Sequence, residues 1–273
     1  MELSMHSQGG AGPAEAKPEY DEPLIRFLEI LWGEGYLSPG GPQEVDRVTD
    51  GIDFAGKAVL DIGCGSGGVT LHLARSNPTA RFTGFDVEQP VIDHAALRAR
   101  DEGLDGRAGF VRGDPGPLPF PDKAFDIVFS KDALIHVADK DSLFAEVFRV
   151  LKPGGLFVAS DWLCGHDCEP SADMKAYLAA EGLNFGMASP GRYRSAMQGA
   201  GLVDIVMTSR NSWYRAHARD ELDRMTGPLR ERLAAAVGDS FVDKNIKTWQ
   251  AMLRVLDSGE HCPTHLHARK PEG

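Results

Sequence analysis

The sequence predicts an α/β fold, a doubly wound and mostly parallel sheet of seven strands. Apolar runs of strand length alternate with helical patterns through the middle of the chain, as crossover-connected parallel strands require. The run Phe125-Asp126-Ile127-Val128-Phe129-Ser130 is nearly continuously apolar, which suits a strand buried on both faces. Between Val59-Leu60-Asp61-Ile62 and the helical pattern Val69-Thr70-Leu71-His72-Leu73 lies Gly63-Cys64-Gly65-Ser66-Gly67-Gly68, glycine wherever a backbone must come close to a ligand.

Taken in order, residues 1–19 are small and polar, with Gly9-Gly10-Ala11-Gly12-Pro13 among them, and read as a disordered tail before a single domain at 20–273. Asp21-Glu22-Pro23 starts a helix with Leu24, Phe27, Leu28 and Leu31 on one face, ending in the glycine-dense loop Trp32 to Gly41. A second helix covers about 42–49. Strands follow at 59–62, 81–86, 109–112 and 125–130, then a helix at 140–151, the turn Lys152-Pro153-Gly154-Gly155 and a strand at 156–162. Helices at 171–181 and 190–199 precede a strand at 202–208, and two more, about 213–236 and 240–257, precede a last short strand at 265–268. The connection of over fifty residues between the last two strands far exceeds a hairpin. With its neighbours it suggests a helical lid, built from about 20–50, 163–200 and 209–258.

Bulk properties exclude several classes. The 273 residues are 42% hydrophobic and 25% charged, ordinary for a globular protein. A net charge of −11 with no Lys/Arg cluster argues against nucleic acid or an anionic membrane as partner. No apolar run approaches a membrane span, nothing resembles a signal peptide, and four cysteines in a chain this long make no disulfide scaffold. These point to a cytoplasmic protein acting on a small molecule; oligomeric state is not legible.

The glycine loop fits two cofactor classes. Gly63, Gly65 and Gly68 satisfy the spacing of dinucleotide binders, and Gly63, Gly65 and Gly67 the tighter Asp-x-Gly-x-Gly-x-Gly. Asp61 separates them, because a carboxylate there repels a pyrophosphate at the helix N-terminus but suits the cationic amino end of S-adenosylmethionine. Asp86, eighteen residues past Gly68 at a strand tip, is placed to hold ribose hydroxyls. Asp114, before Pro115, is placed to accept from an adenine amino group, although Asp-Pro also simply initiates turns. Asp132 and His136 follow the central strand at i, i+4 and should share one face of a helical turn, where the histidine could act as a general base.

The motifs Asp61-Ile62-Gly63-Cys64-Gly65-Ser66-Gly67, Leu118-Pro119-Phe120-Pro121, Phe125-Asp126-Ile127-Val128 and Leu151-Lys152-Pro153-Gly154-Gly155 resemble those of class I S-adenosylmethionine-dependent methyltransferases. More narrowly, Trp32 to Gly41 and Ser130-Lys131-Asp132-Ala133-Leu134-Ile135-His136 resemble the phosphoethanolamine N-methyltransferases. The resemblance implies a Rossmann-like fold with S-adenosylmethionine as methyl donor. It implies that Tyr36 and Ser38 close over the cofactor, that Gly63, Asp86, Val87, Asp114, Pro115 and Ser130 line its site, and that Asp132 and His136 face the acceptor nitrogen.

Departures matter equally. Leu28 stands where the family pairs its histidine with a tyrosine. Of the positions that hold phosphate in the family, which fall here on Trp162, Tyr177, Glu181, Leu183 and Met252, only Tyr177 keeps its residue type. A phosphate dianion meeting desolvated Glu181 would be repelled by a few kcal/mol, so phosphoethanolamine is not the expected acceptor. Trp162, Tyr177 and Trp213 could wall a cationic site, and Glu181 could pair with a cation, though each also reads as core or surface. The expected acceptor is a small amine or amino-acid-like molecule, with a thioether or thiol acid as the alternative. A nicotinamide-linked oxidoreductase and a non-catalytic cofactor-binding module are the alternatives of other class. Cys164, His166 and Cys168, with His261, Cys262, His265 and His267, could meet as a metal site only if their strand ends converge; the spacing matches no zinc pattern, and no metal is expected.

Overall fold

The computed structural model describes residues 19–183 and 185–273. Seven strands form one sheet in the order β3-β2-β1-β4-β5-β7-β6. They are β1 (Ala58–Ile62), β2 (Arg81–Asp86), β3 (Ala108–Arg112), β4 (Phe125–Lys131), β5 (Leu151–Cys164), β6 (Val203–Ser209) and β7 (His261–Arg269). The first five pair in parallel, and β7 runs antiparallel between β5 and β6. The expected doubly wound α/β sheet is therefore present. The tail expected over residues 1–19 lies outside the described residues, apart from Glu19.

Helices cover both faces. Helices α2 (Gly41–Val48) and α3 (Gly68–Ser76), with α4 (Gln89–Asp101) beside them, lie on one side, where Val45, Val48, Leu71 and Leu73 pack on Val59 and Ile127. On the other, α5 (Lys140–Val150) and α7 (Pro190–Gly199) bury Phe144, Val147, Tyr193 and Met197 against Leu60, Val128 and Phe157. A third cluster stands beyond the sheet: α1 (Glu22–Trp32), α6 (Ala172–Glu181), α8 (Asn211–Thr226), α9 (Arg230–Val237) and α10 (Asp239–Ser258) pack Phe27, Leu31, Tyr177, Tyr214 and Trp249 together. Of the segments expected to form a lid, about 20–50, 163–200 and 209–258, these helices lie in that cluster, whereas α2 and α7 pack on the faces of the sheet instead.

Three local expectations are corrected. The helix expected over 213–236 breaks at Gly227-Pro228, because proline stops the backbone ladder and restricts the residue before it. The Lys152-Pro153-Gly154-Gly155 segment is a bulge inside β5, where pairing jumps from Phe125↔Leu151 to Ile127↔Leu156. Strand β7 begins at His261, so that Cys164 faces His261 across the ladder.

Candidate active site

The glycine loop leaves β1 toward α3, and its backbone is set by crowding. Gly63 has φ +73°, and a Cβ there would lie 2.1 Å from Ala133 Cβ, so only glycine brings β1 this close to the end of β4. Gly65 and Gly67 also hold positive φ. Asp61 is buried at the tip of β1 and accepts from the Thr70 hydroxyl at 2.6 Å. Burial, aided by the nearby Asp86 charge and opposed by Thr70, pushes its carboxyl up to about 7. Asp86 ends β2 and accepts from the Gly65 and Glu88 amides at 2.9 and 3.0 Å; burial raises its carboxyl against those bonds. Ser130 donates to the Ile62 carbonyl at 2.7 Å, tying β4 to β1.

The loop after α1 docks onto this cradle. The Gly68 amide donates to the Gly35 carbonyl at 3.0 Å, and Arg98 bridges the Ser66 carbonyl and Glu29. Burial pushes the Tyr36 hydroxyl up to about 12. Its oxygen, like the buried Ser66 hydroxyl, has no hydrogen-bond partner among the described residues. The Tyr36 ring packs with Val45, Val48 and Leu71, and the charges acting on its hydroxyl are those of Arg75, Asp46 and Glu102. In the cradle itself, the orphaned Ser66 hydroxyl beside positive-φ glycines and two buried carboxylates are what a polar, cationic ligand would satisfy.

Beyond β4 the chain does not continue as an α-helical turn. Asp132 takes φ +54°, and Leu134–His136 form a 3₁₀ turn, which corrects the expected shared helical face. Tertiary contacts still bring Asp132 and His136 to one cavity of about 370 Å³. Asp132 accepts from Lys131 Nζ at 2.6 Å and Ser160 Oγ at 2.9 Å. Lys131, buried, also donates to Ser38 Oγ and the Pro39 carbonyl, both at 2.8 Å. His136 packs edge-on to Tyr20 at 6.4 Å and Phe185 at 5.4 Å, with Glu19 at 3.4 Å.

Below the 3₁₀ turn, buried Asp161 accepts from the Ile135 amide at 3.2 Å and the Tyr193 hydroxyl at 2.5 Å. Burial pushes its carboxyl up to about 7, with Tyr193 and Lys140 opposing. Lys140, whose ammonium burial lowers to about 8, donates to the Leu134 carbonyl at 2.8 Å. The turn that carries His136 is thus held at both ends by buried polar groups.

Sequence reasoning missed Tyr20, Lys131 and Asp161. Tyr20 sits one residue past the expected tail, and burial raises its hydroxyl, aided by Asp86, Glu181, Glu19 and Asp132. It lines the cavity together with Leu28, so a tyrosine packs against His136 from a position eight residues ahead of Leu28. The one available signal was its place just ahead of the Asp21 cap; for Lys131 and Asp161 no local pattern existed.

Other expected residues are distributed as follows. Trp162 and Glu181 line the cavity, whereas Tyr177 and Trp213 do not. Tyr177 is fully buried and stacks on His261, and Trp213 stacks on His217 under Arg210. The Tyr177 hydroxyl is buried without a hydrogen-bond partner among the described residues, and Trp213 is half-buried. Leu183 lines the cavity, while Met252 is buried and accepts from the Tyr214 hydroxyl through sulfur. Val87 is exposed beside Asp86. Asp114 is 81% exposed and pairs with Arg112 at 2.8 Å, and with Pro115 it stands on an exposed turn.

Strand pairing sets Cys164 opposite His261, but among the described residues the one group of donor atoms within 4.8 Å of one another is Cys164, His166 and Glu260, with no Cys or His of the second stretch in it. Glu260 is already taken by the Ser171 amide and hydroxyl, His265 contacts Glu44 at 2.8 Å, and His267 contacts the Val48 carbonyl at 2.9 Å. Among the described residues no helix is long and apolar enough to cross a membrane.

Residues 60–159 match the family model described as a methyltransferase domain. The chain is 29% identical over 237 residues to a phosphoethanolamine N-methyltransferase of Triticum aestivum, covering 86% of this chain and 46% of that protein. It superposes with a TM-score of 0.85 and 25% identity on phosphoethanolamine N-methyltransferase 2 of Haemonchus contortus, a complex with phosphomonomethylethanolamine and S-adenosylhomocysteine, covering 93% of this chain and 59% of that one. A Galdieria sulphuraria protein assigned as a sarcosine dimethylglycine methyltransferase shares the fold at TM-score 0.80 and 20% identity, covering 92% and 98%. The chain spans about half the length of the curated relatives it matches. Sheet order, glycine loop and matched domain are those of a class I S-adenosylmethionine-dependent methyltransferase. Within that class the chain resembles the phosphoethanolamine N-methyltransferases over nearly its whole length.

Proposed function

We propose that this chain transfers a methyl group from S-adenosylmethionine to the nitrogen of a small amine or amino-acid-like acceptor that carries no phosphate. The observation that carries this reading is the placement of Asp132 and His136 in one cavity beside the glycine cradle, with Gly63 in contact with Ala133. Asp61, Asp86, Tyr36, Ser66 and the backbone of Gly63, Gly65 and Gly67 would hold the donor. Bound there, it supplies a methyl group already activated on a sulfonium.

The chain's own residues do the rest. An ammonium has no lone pair, so the acceptor must lose a proton before it can attack. His136 takes that proton, kept in place by the edges of Tyr20 and Phe185. Asp132, held by Lys131 and Ser160, orients the nitrogen. The layer of α1, α6 and α10 excludes water and restricts approach to an in-line geometry. A phosphate is disfavoured because Glu181 and Leu183 are in the cavity lining and Met252 is buried in the core.

A screen of amines, amino acids and thioethers against methyl-labelled donor tests the reading. Labelled amine product that disappears in His136→Ala is the expected result. Tight NAD binding with no methyl transfer would replace the assignment with an oxidoreductase. Phosphoethanolamine as the best acceptor would remove the phosphate-free part.

A further inference from the structure

Of the carboxylates around the cavity, all but one have a stated partner. Asp132 is neutralised by Lys131 at 2.6 Å, Glu19 faces His136 at 3.4 Å, and Asp21 accepts from the Leu24 amide at 3.2 Å as the cap of α1. Glu181, at the end of α6, accepts no hydrogen bond from any described residue. Lys244 of α10 also lines the cavity and is exposed, and its charge opposes the effect of burial on Glu181. Helices α6 and α10 pack directly, with Thr248 Oγ donating to the Ala180 carbonyl at 3.3 Å, yet among the described residues no ion pair joins Glu181 to Lys244. Glu181 is half-buried, and burial pushes its carboxyl up to about 7, with Lys244 opposing.

We propose that the acceptor is an α-amino acid, held by its ammonium on Glu181 and its carboxylate on Lys244, with its side-chain end presented to Asp132 and His136. This rests on the methyl-transfer reading above. One unmatched anion and one unmatched cation, on facing helices, complement a zwitterion. A dication would leave Lys244 opposed to like charge, and a phosphate would meet Glu181. The lining also carries the apolar side chains of Leu28, Ile135, Trp162 and Phe185, which suit a methylene chain, and a cavity of about 370 Å³ admits a small amino acid. The methyl-accepting atom is then the side-chain terminus, not the α-nitrogen.

Calorimetry on the S-adenosylhomocysteine complex tests this with four probes: L-ornithine, its decarboxylated counterpart putrescine, L-methionine and its counterpart 3-(methylthio)propylamine. At least one amino acid should bind about tenfold or more tighter than its counterpart lacking the carboxylate. Glu181→Gln and Lys244→Met should each remove about tenfold of that affinity, and Lys244→Met should not weaken binding of the counterparts and should tighten putrescine, whose second ammonium it no longer repels. Equal binding of each pair, unchanged affinity in both variants, or tighter binding of phosphoethanolamine overturns the proposal. S-adenosylhomocysteine binding is measured first in every variant. Its retention with the failures above sinks only the amino-acid assignment, whereas its absence in the unaltered protein sinks the methyl-transfer reading and this one together.

Discussion

The Lys131 ammonium lies 2.6 Å from the Asp132 carboxylate and 2.8 Å from the Ser38 hydroxyl. One buried cation therefore fixes the orientation of the acidic group in the cavity and latches the loop after α1 onto the end of β4. Lys131→Met leaves Asp132 buried with only Ser160, and breaking one side of a buried pair costs about 3 kcal/mol or more. Thermal melts should show the loss, and kcat/KM should fall more than the S-adenosylhomocysteine Kd rises. Equal turnover in Lys131→Met and unaltered protein would remove the latch.

Gly63 predicts a packing defect rather than a chemical one. Gly63→Ala forces a Cβ into Ala133 at 2.1 Å on a backbone of φ +73°. Overpacking and left-handed strain together cost about 2–4 kcal/mol. A melt within a degree of the unaltered protein, with cofactor binding intact, is the result that contradicts this.

Asp61 sets a pH dependence. With its carboxyl near 7 in the empty cradle, it is protonated at lower pH and must ionise to meet a cationic amino group. Affinity for S-adenosylhomocysteine should therefore rise by about tenfold from pH 6 to pH 8, with a proton released on binding. The raised value also means that Asp61's own contribution to folding stability is full below the ordinary carboxylate range and is lost as pH rises from there through about 7. Asp61→Asn should flatten both profiles; a binding profile equally steep in that variant assigns the proton elsewhere.

Tyr20 and His136 form the last pair. His136→Ala should lower kcat by about 100-fold or more, as loss of a general base does, with S-adenosylhomocysteine binding preserved. Tyr20→Phe should lower kcat less, and the double variant should fall short of the product of the two effects, because the groups act together. Multiplicative losses would show the two residues to be independent.

Which parts of this were readable beforehand follows from range. The strands and most helix ends were legible because a buried parallel strand, a proline in a first turn and a glycine cap each write their signal within a few residues. The glycine loop was legible for the same reason. The lining of the cavity was not. Tyr177 and Trp213 are aromatic in the right region, but which face of a helix meets a cavity depends on helices far away in the chain, and His261 and His217 stack on them instead. Leu28 suggested that no tyrosine reached His136, yet Tyr20, two turns earlier, does.

The sequence by itself determined the α/β sheet, the cradle of Asp61, Gly63 and Asp86, and the presence of Asp132 and His136 after the central strand. All of these arise from local periodicity or from residues at the ends of adjacent strands. Only the tertiary structure decided that Lys131 reaches Ser38 across 93 positions while holding Asp132, that Asp161 supports the turn below His136, and that Glu181 and Lys244 line one cavity. A buried charge finds its partner through packing, and packing has no fixed spacing in the chain.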